Sequence, residues 1–113
     1  MEMNFEELVN SESYHAHVLA AKNPNCPVHL LEKLADDKDR YVRLKVARNP
    51  NCPVHLLEKL VDDGTTYVYD SDTHTYWLVR PGVERNPNCP QYLKDYIKAK
   101  EFVLLNNHLD LLS

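Results

Sequence analysis

The chain has 113 residues, 43% of them hydrophobic and 27% charged, with a net charge of −4. A single domain of this size and composition can bury a core without disulfides or metal, so wholesale disorder is excluded. Its 2 glycines are too few for the clusters that a phosphate loop or dinucleotide fold requires, its acidic balance gives no bulk pull toward nucleic acid or anionic membrane, and no apolar run is long enough to span a bilayer.

The first element is an incomplete N-terminal unit, residues 1–22. Its segments FEELVN (5–10) and HAHVLAAK (15–22) align without gaps on LEKLAD (31–36) and YVRLKVAR (41–48). Glu2, Glu6, Glu7 and Glu12 give it the acidic outer face of a terminal cap. The opening residues lack the charged-then-apolar pattern of a secretory signal, so the expected location is the cytoplasm.

A repeat follows at 23–48. It opens with NPNCP, a string that recurs at 49–53 and 86–90, and NPNCPVHLLEKL is identical at 23–34 and 49–60. Residues before proline are pushed out of the α region, so Asn-Pro-Asn-Cys-Pro forms a turn. The second proline suits the first position of a helix, which places the cysteine at the N-cap. Val28, Leu30, Leu31 and Leu34 then give the apolar spacing of an amphipathic helix of about three turns. A shorter helical piece is expected at Tyr41–Ala47, with Val42, Leu44 and Val46 apolar. Neither piece can hide its own apolar face, so neighbouring units must stack.

The next unit, 49–85, is longer. Consecutive NPNCP strings lie 26 residues apart, then 37. The surplus falls in an insertion at about 64–76, after which LVRPGVERNPNCP resumes the pattern. Tyr67, Val68 and Tyr69, then His74 to Trp77, favour strands, and Asp70-Ser71-Asp72-Thr73 between them has turn chemistry. A small β-hairpin-like excursion is expected. Pro81 and Gly82 argue against a regular α-helix beyond it and for a short or 3₁₀-like segment. The last unit, 86–113, carries the final repeat helix and an apolar tail. Leu109, Leu111 and Leu112 there either seal the last layer or form a self-association surface.

The stretch Val42-Arg43-Leu44-Lys45-Val46-Ala47-Arg48-Asn49-Pro50-Asn51-Cys52-Pro53 resembles the repeat of the leucine-rich repeat variant family. The resemblance covers about residues 5–100, outside the insertion. It implies an all-α, right-handed superhelical solenoid of alternating α and 3₁₀ helices, related to HEAT repeats. The unit is slightly longer than the family's usual one. The cysteine-rich iron–sulfur segment that precedes the repeats in the family's founding member is missing, so no cluster is carried over.

Several features compete as functional sites. Cys26, Cys52 and Cys89 occupy equivalent positions, but stacked layers lie roughly 8–10 Å apart, too far for a disulfide or shared metal. They read as packing residues, and neither metal nor cofactor is expected. His29 and His55 recur because the repeat does. Lys22, Arg48 and Arg85 form a basic column that serves either as a binding stripe or as a solvated face. His17, Arg43 and Arg80 form another, with Asp39 or Asp37 expected beside Arg43 and Asp72 or Asp63 beside Arg80. The insertion's Tyr67, Tyr69, His74 and Tyr76 either contact a partner or cap the core edge, while Trp77 fits the core better.

No nucleophile–base pair, carboxylate pair or phosphate loop is assembled by these motifs, so the expected function is not enzymatic. The leading expectation is a small protein-interaction module that uses Tyr67, Tyr69, His74, Tyr76, Lys22, Arg48 and Arg85. The alternative is a nucleic-acid or nucleotide-phosphate binder using Lys22, Arg48 and Arg85.

Overall fold

A computed structural model describes residues 4–63, 68–70, 75–77 and 79–100; for 68–70 and 75–77 it describes the backbone. The helices are α1 (Phe5–Asn10), α2 (Tyr14–Lys22), α3 (Val28–Leu34), α4 (Arg40–Arg48), α5 (Val54–Leu60) and α6 (Val79–Arg85). A further helical stretch, α7, covers 91–100. The apolar tail beyond it, with Leu109, Leu111 and Leu112, lies outside the described residues.

Local chemistry sets the helix starts. The Asn4 side chain accepts from the Glu7 amide, the Ser13 hydroxyl from the Ala16 amide, and Asp39 Oδ1 from the Tyr41 amide. The prolines correct one expectation. Pro27 and Pro53 are N-caps rather than first helical residues, because their ψ angles of 149° and 163° are extended. Their carbonyls accept the first helical bonds, as in Leu31 N–H to Pro27. The cysteines therefore lie one position before the cap. The lengths also differ from expectation. α3 has 7 residues, nearer two turns than three, and α4 has 9, so the second piece is the longer.

Where a 3₁₀-like segment was expected at Pro81 and Gly82, α6 is an α-helix. Pro81 is its third residue, within the first turn, where a missing N–H leaves no helical bond unmade. Gly82 allows α6 to approach α4. A Cβ there would meet Leu44 Cδ1 at 3.2 Å and Arg48 Cγ at 3.3 Å.

α2, α4 and α6 pack side by side, and α3 and α5 pack against them. The core runs between the two sets. Leu31, Val42, Leu44, Val46, Leu57 and Val83 are all fully buried, at 0% exposure. Each such side chain contributes roughly 1.5–3 kcal/mol. This is an all-α repeat fold.

Asparagine ladders tie the units together. Asn49 Nδ2 donates to the carbonyls of Ala21 (2.7 Å) and Asn23 (2.8 Å), 28 and 26 residues back. Asn86 Nδ2 does the same to Ala47 (2.7 Å) and Asn49 (2.8 Å), 39 and 37 residues back. A second ladder joins His29 to Glu6 and His55 to Glu32, 23 residues apart, and Tyr92 to Glu58, 34 apart. Each offset grows by the same eleven residues across the insertion, so the stacking register ignores it.

Within the insertion, β1 (Val68–Asp70) and β2 (Thr75–Trp77) pair antiparallel, Val68 opposite Trp77 and Tyr69 opposite Tyr76. β1 lies against α4. Removing residues 65–75 is expected to leave the helical circular dichroism intact, because no ladder bond passes through them; loss of the helical signal would refute that.

The second basic column is tied differently from expectation. The carboxylate beside Arg43 is Asp63, at 2.6 Å from Nε, and Asp37 meets Arg43 through its backbone carbonyl, 2.6 Å from Nη1. Arg80 Nε donates to the Val61 carbonyl at 3.2 Å rather than to Asp63. Asp72, the other carboxylate expected beside Arg80, lies outside the described residues. His17 and Arg43 each reach a loop in the next layer, whereas Arg80 reaches the Val61 carbonyl within its own unit, and Asp63 is claimed by the earlier layer.

Candidate functional site

Lys22, Arg48 and Arg85 are the last residues of α2, α4 and α6. A cation in that position meets the negative end of the helix dipole, which by itself gives each repeat a local reason to be basic there. Stacking then brings two of the three together. Arg48 and Arg85 line a cavity of about 240 Å³ with Gly82 and Asn86. Lys22, exposed on α2, is not among its lining residues.

The walls of this cavity follow from the fold. Gly82 has no side chain to fill it, and its closeness to Arg48 Cγ fixes where that side chain leaves α4. Asn86 is held from both ends, its amide on the Ala47 and Asn49 carbonyls and its Oδ1 accepting the Asn88 amide at 2.9 Å. Two arginines lining one opening give it a basic character suited to a carboxylate or a phosphate oxygen. Gly82 and Asn86 were not among the residues expected from sequence. The recurrence of asparagine at 23, 49 and 86 was the available signal, but a local turn accounted for it.

Of the aromatic residues, Tyr69 sits in β1 and Tyr76 opposite it in β2. Tyr67 and His74 lie outside the described residues. Since β1 packs on α4, the hairpin backbone and Arg48 are carried by the same helix.

The other polar candidates serve the stack. His29 Nε2 lies 2.9 Å from Glu6 Oε1 and His55 Nε2 3.0 Å from Glu32 Oε1. Tyr92 donates to Glu58, and this bond, with a smaller effect of burial, raises its hydroxyl above the ordinary tyrosine value. Lys59 pairs with Asp36, and Tyr96 donates to Asp62 at 2.7 Å.

The three cysteines are free and buried. Burial pushes the Cys26 thiol up to about 11 and the Cys52 thiol up to about 12. Among the described residues no group of three histidine, cysteine or acidic side chains converges as a metal site. Native Cys26 and Cys52 are expected to resist alkylation at about pH 8, since the thiolate is the reactive form. They should react promptly once the chain is unfolded in denaturant; equal rates in both states would contradict their burial. The same shifts carry a sign for stability. The folded state keeps protons that unfolded thiols release above about pH 9, so stability falls as pH rises from there toward about 12. Tyr14 and Tyr92, also raised, act in the same direction.

Stacked helix pairs tied by ladders of equivalent residues, with one loop excursion, define an α-helical repeat protein. Its unit at residues 40–64 matches the family described as leucine rich repeat variant, bearing out the resemblance carried by the 42–53 motif. No curated protein and no solved structure matches the chain. Among the described residues no helix is long and apolar enough to cross a membrane.

Proposed function

We propose that the protein is a small non-catalytic interaction module, acting in the cytoplasm, that binds a protein partner. The contact surface is the aromatic insertion (Tyr67, Tyr69, His74 and Tyr76) with the adjacent basic column Lys22, Arg48 and Arg85. The observation that carries this is the eleven-residue step in the ladders. The stack closes in the same register on both sides of the insertion, so none of the ladder bonds depends on it. Tyrosine-rich excursions on a rigid repeat supply large contact area at small entropic cost.

Affinity capture from the native host tests it, with the wild type compared against deletion of 65–75 and against Arg48→Glu with Arg85→Glu. The same protein must be lost with both variants while helical circular dichroism is kept. A partner retained equally by all three chains would refute the surface.

The cavity lined by Arg48 and Arg85 favours a second reading, a binder of nucleic acid or nucleotide phosphate. Such binding weakens steeply with added salt. Failure of DNA, RNA and nucleotides to bind at low salt would end it.

A further inference from the structure

The cross-layer ladders share one register, in which each layer reaches back to the one before it. Asn51 Nδ2 donates to the Cys26 carbonyl at 2.6 Å, and Asn88 Nδ2 to the Cys52 carbonyl at 3.0 Å. Lys33 Nζ donates to Asn10 Oδ1 at 3.3 Å, Lys59 pairs with Asp36, and Tyr96 donates to Asp62. Among the described residues no layer precedes α1 and α2, and none follows α7.

The two ends carry complementary halves of these ladders. Asn25 is the first-layer counterpart of Asn51 and Asn88. It is exposed, and its side-chain amide donates to none of the described residues. Cys89 is the last counterpart of Cys26 and Cys52, and its carbonyl accepts no side chain among the described residues. Glu7 stands in the column of Lys33, Lys59 and Tyr96, and the acceptor column of Asn10, Asp36 and Asp62 ends at Ala99, between exposed Lys98 and Lys100. Lys98 itself occupies the column of Ala35 and Val61, each 3% exposed, so a position that inner layers bury is cationic at this end. Leu19, 43% exposed, shares its column with Gly82, which packs on Leu44, Ala47 and Arg48 of the preceding layer.

We propose that copies of this chain associate head to tail, the N-terminal layer of one continuing the stack on the C-terminal layer of the next. In that register Asn25 donates to the Cys89 carbonyl. Glu7 arrives at position 99, between Lys98 and Lys100. Leu19 covers Pro81, the counterpart of Leu44. The outer rung is reversed in sign relative to Lys59 and Asp36. Each end therefore fits the other and not itself, since Glu7 repels Glu7 and the lysines repel lysines. Such a contact is heterologous and does not stop at two copies.

Sedimentation of the full chain at low salt, from about 10 μM to about 1 mM, tests this. The average mass should rise with concentration past two copies, and fall back to one as salt is added. Glu7→Lys, and Lys98→Glu with Lys100→Glu, should each stay monomeric with helical circular dichroism intact. An equal mixture of the two should associate again, because each reversed end then finds its opposite. Asn25→Ala should weaken the association roughly fivefold. A wild type that stays monomeric, a mass that stops at two copies, charge variants that associate as the wild type does, or a mixture that stays monomeric overturns the proposal.

Discussion

Asn49→Ala is expected to remove about 3–4 kcal/mol of stability, a large part of what a domain of this size possesses. Asn49 is 1% exposed. Its side chain donates to the Ala21 and Asn23 carbonyls and accepts the Asn51 amide at 2.8 Å. Alanine leaves those three backbone groups without the bonds they make now, where little water can reach, at about 1–3 kcal/mol for each stranded group. Asn86→Ala should behave alike, since its amide bridges the Ala47 and Asn49 carbonyls in the next layer. Asn51→Ala is the control. Its exposed side chain gives one bond to the Cys26 carbonyl at 2.6 Å, so its loss should cost about 1 kcal/mol. Urea denaturation of the three variants checks the order. Equal costs for Asn49 and Asn51 would mean that the motif acts only as a turn.

That comparison also marks where sequence ceases to inform. Asn-Pro-Asn-Cys-Pro announces its turn because proline acts on the residue beside it. The partners of Asn49 lie 26 and 28 residues away, a distance no local rule covers. The repeat period, the buried leucines and the equivalence of Arg48 with Arg85 were legible, since period and hydrophobic spacing are properties of the string itself. α6 was not. Pro81 and Gly82 weaken an isolated helix, but the first turn tolerates the one and close packing against Leu44 and Arg48 uses the other. The cavity required both facts at once, a basic pair from the column and a missing side chain at position 82. For Arg43, sequence pointed to the nearest aspartate in the preceding loop, and stacking supplied Asp63 in the following loop instead; Arg80 meets a backbone carbonyl, that of Val61.

Arg43→Met is expected to cost about 3 kcal/mol, and Arg43→Met with Asp63→Asn distinctly less than the sum of the two single changes. Arg43 Nε and Asp63 Oδ2 are 2.6 Å apart, with side chains 20% and 10% exposed, so the pair is largely withdrawn from water. Methionine keeps much of the stem's packing and removes the charge. Asp63 then stays negative in a poorly solvated position, deprived of its guanidinium, while the Asp37 carbonyl loses the bond from Nη1. Neutralising Asp63 as well relieves the first of these costs but not the second. A double-mutant cycle by urea denaturation separates them, and strict additivity would show that the pair contributes no coupling. The same cycle probes the architecture. Arg43 belongs to α4 and Asp63 follows α5, so the coupling measured is between one helix of the stack and the loop that leads into the insertion. If the insertion's position against α4 depends on that loop, the single variant weakens partner capture without touching a contact residue. The double variant restores part of it.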